Sequence, residues 1–128
     1  MSLDAPTTAL KARLDAMPGA AAAPVTAPRG AAPIAVMYKV MGKMFAILSM
    51  RGDPFVILKC DPHMVEILRE QYAGVGHRSH LDRRFWICVA LDADVPPGEI
   101  DRLVAGSYDL VRAGLTLRQR AELAALSS

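Results

Sequence analysis

Between Val36 and Cys60 apolar residues fall on alternate positions and are interrupted twice by turn chemistry, which confines this stretch to antiparallel hairpins. Tyr38, Val40, Phe45 and Ile47 alternate with Met37, Lys39, Met44 and Ala46 around Met41-Gly42, which reads as a tight two-residue turn. Arg51-Gly52-Asp53-Pro54 supplies a second turn, leading into Phe55 to Cys60. Pairing Val40 with Lys43 and Met50 with Phe55 puts Val36, Tyr38, Val40, Phe45, Ile47, Val56, Leu58 and Cys60 on a core face. The other face then carries Met37, Lys39, Met41, Met44, Ala46, Leu48, Phe55, Ile57 and Lys59. A half-open sheet face that is apolar but holds two lysines suits a ligand platform.

Helical periodicity flanks this sheet. Leu10, Leu14 and Met17 share one face of a short helix that Pro18-Gly19 ends. Ala20 to Ala35, rich in Ala, Pro and Gly, allows at most a short, irregular edge strand. Asp61-Pro62 is an N-cap followed by proline at the first helical position; Val65, Leu68 and Tyr72 form the apolar face and Gly74 the expected stop. Phe85 to Leu91 reads as a strand. A helix from near Pro97 keeps Ile100, Leu103, Val104, Ser107, Tyr108 and Val111 on one side until Gly114. Thr116 and Gln119 form a capping box that opens a helical tail over 115–128. The expectation is a single two-layer α+β domain over 1–128, with an antiparallel sheet of about five strands, helices on one face, and order α-β-β-β-α-β-α. Met1-Ser2-Leu3 reads as an appended start outside the fold.

Hydrophobic residues at 52% and charged residues at 22% exclude wholesale disorder. The strongest apolar run, Met44 to Met50, is too short for a membrane span and is closed by Arg51. The start lacks a basic segment followed by an apolar one, so a cytoplasmic location is expected. Cys60 and Cys88, far apart in apolar runs, fit buried thiols of a reducing compartment. Net charge is only +2, but from Lys39 to Arg84 eight bases face five acids, so the middle of the chain is its basic part.

Chemistry-bearing residues are few. Cys60-x-x-His63 and His77-x-x-His80 look like a four-ligand zinc set. Against it, Cys60 ends a strand on the core face, His63 opens a helix, and no carboxylates are spaced to orient the histidines. No metal and no cofactor are expected. Cys88 has no base beside it in sequence, and Glu66, Glu70, Glu99 and Asp101 read as solvated helix positions, so no enzyme activity is expected. Arg51-Gly52-Asp53 spells an adhesion tripeptide but reads as a hairpin turn. His77, Arg78, His80, Arg83 and Arg84 crowd one stretch ahead of Phe85 and Trp86. That stretch is either a phosphate-contacting loop beside a stacking aromatic, or a solvated turn with Trp86 in the core.

Several blocks resemble the MmcQ/YjbR family: Tyr38-Lys39-Val40, Gly42-Lys43-Met44-Phe45-Ala46, Leu58-Lys59-Cys60-Asp61-Pro62, Leu68-Arg69-Glu70-Gln71-Tyr72, His80, Trp86 and Ser107-Tyr108-Asp109-Leu110-Val111. The resemblance runs from about Pro18 to Val111. It implies a compact α+β domain similar to the frataxin-like and secretion-chaperone-like folds, and a DNA-binding role through a proposed double-wing arrangement. The family pattern has an asparagine where this chain has Asp82, and acidic residues where it has Ala20 to Ala23. The resulting expectation is DNA binding by Lys39, Lys43 and Lys59 from the sheet and by Arg78, His80, Arg83 and Arg84 from the 77–84 loop. Trp86 would stack on the ligand or pack beneath the loop. The alternative is a protein-interaction module that uses the apolar sheet face.

Overall fold

The structure, a computed structural model, describes residues 5–26, 33–50, 53–77 and 81–127. Helix α1 (Ala5–Asp15) turns Leu10 and Leu14 inward. Past it, Gly19 takes φ +70°, a left-handed conformation that glycine adopts without the strain a side chain would bring, and the chain enters the sheet. Six strands follow, β1 (Ala20–Thr26), β2 (Pro33–Val40), β3 (Lys43–Ser49), β4 (Phe55–Lys59), β5 (Val75–Gly76) and β6 (Trp86–Ala90). They form one sheet in the order β1-β2-β3-β4-β6-β5, every neighbour antiparallel. Helix α2 (Pro62–Gln71) precedes β5, and α3 (Pro97–Ala113) and α4 (Leu117–Ser127) end the described chain.

The sheet has six strands rather than about five. The Ala- and Pro-rich segment makes the seven-residue edge strand β1, an edge being where a strand tolerates Pro24. The added strand β5 forms because Asp94 accepts the Ala73 and Gly74 N–H groups at 2.8 Å each, holding the chain against the β6 edge. Helix α2 accordingly ends at Gln71, with Tyr72 extended, short of the glycine stop expected at Gly74. Met41 (φ 50°) and Gly42 (φ +81°) make the tight hairpin turn.

The expected register is corrected in both hairpins. Val40 does pair with Lys43, but a bulge between Tyr38 and Lys39 leaves Phe45 as an extra residue, and from there Tyr38 pairs with Ala46 and Val36 with Leu48. A shift of one residue exchanges the faces, so Ala46 and Leu48 enter the core, both 0% exposed, and Ile47 leaves it. The second hairpin pairs Ser49, not Met50, with Phe55, and this compensating shift keeps Val56 and Leu58 in the core. Met41 packs partly against that core instead of lying on the open face.

Helix α3 fills the bulge. The Ser107 hydroxyl donates to the Phe45 carbonyl (2.6 Å) and accepts from the Lys59 N–H (2.9 Å), bridging β3 and β4 just beyond their last ladder pair. Tyr108 meets Phe45 edge-on at 5.4 Å and donates to the Pro18 carbonyl (2.6 Å). On the same face Tyr38 donates to Asp15 (2.8 Å), tying β2 to the end of α1. The α2 N-cap forms as expected, Asp61 accepting from the His63 N–H, and the Thr116–Gln119 capping box is reciprocal. All four helices contribute to a core whose strand residues, including Tyr38, Phe45, Leu48, Leu58 and Val89, belong to one face of the sheet.

Candidate functional site

The sheet therefore has a second face on which no described helix packs. Pairing arranges it in three rows. The middle row, Ala23-Met37-Ile47-Ile57-Cys88, is apolar. The row at one end runs Val25-Ala35-Ser49-Phe55-Ala90 and is uncharged. At the other end Lys39 pairs with Met44 and Lys59 with Trp86. Among the described residues the charged positions in strands are Lys39, Lys43 and Lys59, and every Asp and Glu lies on a helix or a connection. The strand positions of that face thus carry two cations and no carboxylate, while Asp61, two residues past Lys59, lines the same grooves as that lysine.

The structure separates the residues expected to act together. Lys39 is exposed and Lys59 half-buried, both on the open face by strand alternation. Lys43 goes the other way: it is on the helix side, where its Nζ donates to the Gly114 carbonyl at the end of α3 (3.1 Å), so it does not join the other two lysines. Trp86 is half-buried opposite Lys59 on the open face, outside the core cluster. Arg78 and His80 lie outside the described residues, as do Arg51 and Gly52 of the second turn.

The turn before β6 is internally braced. Asp82 accepts from the Arg84 backbone N–H (2.9 Å) and from Arg84 Nε and Nη2 (3.2 and 2.9 Å), and its carbonyl accepts from the Phe85 and Trp86 N–H groups. The Arg84 side-chain and backbone hydrogen bonds hold the Asp82 carboxyl down at about 2. The Arg84 guanidinium also sits 5.3 Å from the centre of the Phe85 ring, so its charge is largely committed within the turn. Arg83 is exposed, and its carbonyl is held by Arg69 Nη2 (3.2 Å). Sequence spacing had no means of distinguishing the committed arginine from its neighbour.

Of the metal-like set, His80 lies outside the described residues, and Cys60, His63 and His77 are not placed to share an ion. Cys60 is buried, and its thiol is pushed up to about 11, chiefly by burial; His63 is exposed, and His77 Nε2 lies 2.7 Å from the Leu81 carbonyl. Among the described residues no three His, Cys, Asp or Glu groups are placed to hold an ion. Nor is any described helix long and apolar enough to cross a membrane. Two shallow grooves adjoin the lysine end. One, about 340 Å³, lies between Phe85, Trp86, Pro62 and Leu110. The other, about 380 Å³, runs between Met64 of α2 and Leu103, Gly106 and Leu110 of α3; its charged rim is mixed, with Lys59 and Arg102 set against Asp61 and Asp109.

These features define a two-layer α+β domain whose sheet carries the helices and the main core on one side and, on the other, an apolar row in which Ile57 and Cys88 are buried and Met37 and Ile47 half-buried, with Lys39 exposed at one end. A family model for YjbR matches residues 16–110, and the chain belongs to the YjbR family. The uncharacterised protein YjbR of Escherichia coli K12 is 36% identical over 75 residues, covering 58% of this chain and 64% of that protein. The uncharacterised YbdF of Escherichia coli O157:H7 is 29% identical over 85 residues, covering 66% of this chain and 70% of that protein. Among solved structures, Deinococcus radiodurans protein DR2400, of the domain class DUF419, superposes with a TM-score of 0.77 at 30% identity, over 95% of this chain and 92% of that one. A Pseudomonas syringae protein shares the fold, with a TM-score of 0.56 at 22% identity, covering 70% of this chain and 86% of that one.

Proposed function

We propose that this chain is a non-enzymatic, cytoplasmic DNA-binding protein that contacts phosphates through Lys39 and Lys59 of the open sheet face and Arg83 of the adjoining turn. The observation that carries this reading is the sign of the sheet's charge: among the described residues every charged strand position is a lysine, and the acid nearest in sequence to Lys59, Asp61, lies past the end of β4 at the rim of the grooves. The contacts are few, so binding is weak and sequence-tolerant. Three neutralised phosphates on a duplex give a log–log salt slope of roughly −3. Fluorescence anisotropy of a labelled duplex across a salt series measures it. Replacing exposed Lys39 and Arg83 with Ala, and half-buried Lys59 with the similarly sized Gln, should bring that slope close to zero; the two exposed changes usually cost within about 0.5 kcal/mol each, and a melting curve checks that the Lys59 change leaves the fold intact. Salt-independent binding in the unmodified protein, or none at low salt, defeats the reading.

The half-buried Met37, Met44 and Ile47 favour a second reading, a protein-interaction surface on the same face, to which the two methionines would adapt. On that reading Met44→Asp abolishes association and Arg83→Ala does not.

A further inference from the structure

Helix α3 has two apolar sides. Ile100, Val104, Ser107, Tyr108 and Val111 are buried toward the core, and a second stripe, Leu103, Gly106, Leu110 and Ala113, recurs at steps of three, four and three. That spacing is the seam of a helix that packs on another helix. The stripe is open: Gly106, Leu110 and Ala113 are exposed and Leu103 is half-buried, and together they line the groove of about 380 Å³ beside exposed Met64 of α2. Gly106 has no explanation within its own chain. It lies in mid-helix, where only proline is a poorer former, it does not take a positive φ, and a Cβ built on it meets no described atom within 4 Å. What a glycine provides there is room for a side chain from outside.

The stripe is complementary in size to itself. Laid antiparallel across a two-fold axis level with Tyr108, Leu110 falls opposite Gly106 of the other copy and Leu103 opposite its Ala113, a large residue against a small one in every layer. The rim suits the same occupant, since Lys59 and Arg102 are balanced by Asp61 and Asp109, and two copies meet without the repulsion that a rim of one sign would bring. We infer that the α2–α3 groove is a self-association surface, on which α3 of a second copy of this chain lies antiparallel to the first. The interface uses the helical layer and does not depend on what the sheet binds. Helix α3 is about 25 Å long and two helix widths are about 20 Å, so each copy buries on the order of 500 Å², below the roughly 800 Å² per partner of a standard interface. The dimer is accordingly weak and concentration-dependent.

Sedimentation equilibrium of the intact chain, over a concentration series reaching about 1 mM, tests this. The expected result is a reversible rise of the average mass toward twice that of the monomer. Gly106→Leu sets leucine against leucine in the central layers and should weaken association on the order of tenfold. Its melting temperature should hold or rise, because a helix former replaces glycine in open space. Adding Leu110→Ala to that variant exchanges the large and small partners, and association should return to within about threefold of the unmodified chain. A dimer that Gly106→Leu leaves unchanged, or that Leu110→Ala fails to restore, overturns the pairing of α3 in this register. A chain that stays monomeric throughout the series overturns the inference outright; if it also binds an apolar dye that Gly106→Leu excludes, the groove belongs to a small apolar ligand instead.

Discussion

Asp82 and Arg84 show how one residue alters what its neighbour offers. The Asp82 carboxylate draws the Arg84 guanidinium onto itself, and the arginine is then stacked over Phe85 instead of extended toward a ligand. Because hydrogen bonds from Arg84 depress the Asp82 carboxyl from 3.8 to about 2, the brace is fully present above the ordinary carboxylate range and is lost as pH falls through about 2. An NMR titration of the Asp82 carboxyl should find its midpoint near that value, and in Arg84→Ala the midpoint should return toward 3.8. On the proposed function Asp82→Asn should also strengthen DNA binding and steepen its salt slope by about one, since it releases a cation and removes a like charge to phosphate. An unmoved midpoint in Arg84→Ala would show that the pair does not form in solution.

The bulge in β3 is the element on which both faces of the sheet depend. It displaces Phe45 onto the core side, where Tyr108 meets it edge-on, and it sends Ile47 to the open face in place of Leu48. The broken ladder is repaired from α3, where the Ser107 hydroxyl serves one acceptor and one donor of two different strands. That buried serine and the neighbouring tyrosine explain why Ser107-Tyr108 sits in the middle of an otherwise aliphatic helix face. Ser107→Ala leaves the Phe45 carbonyl and the Lys59 N–H without this partner and should cost about 1–3 kcal/mol in urea denaturation, with an unchanged m-value. A loss within about 0.5 kcal/mol would mean that the strands close the gap without the helix.

At the scale of the whole molecule, one-sided packing governs behaviour. The core is continuous from α1 to α4 on one face of the sheet, and the thiols divide between the faces, Cys60 in the core cluster and Cys88 in the middle row of the open face. Both are buried, and burial raises the Cys60 thiol to about 11, which leaves little thiolate at neutral pH. An aromatic disulfide reagent should therefore label the folded protein slowly and both thiols rapidly in denaturant. Fast labelling of Cys60 in the native state would show that the α2–β4 junction opens.

Much of this was determined by the sequence alone, where the signal is local. The Met41-Gly42 turn, the Asp61 N-cap and the Thr116–Gln119 box each describe a few adjacent residues, and each forms as its chemistry requires; the strands from Val36 to Lys59 form as well, with their period of two broken at Phe45. The open-face positions of Lys39 and Lys59 follow from the same alternation. The tertiary structure decided what depends on contacts between distant residues. No local propensity announces an extra residue at Phe45; the bulge is stabilised by Ser107 and Tyr108, more than sixty positions away, so the faces of Ala46, Ile47 and Leu48 could not be read from the strand itself. Strand β5 likewise needs Asp94, twenty residues on, and β1 needs the length of β2 beside it. Lys43 and Arg84 look like free cations in sequence, but the first is bound to a carbonyl on α3 and the second to Asp82. Charge is written along the chain, whereas its availability depends on which groups folding brings within hydrogen-bonding distance.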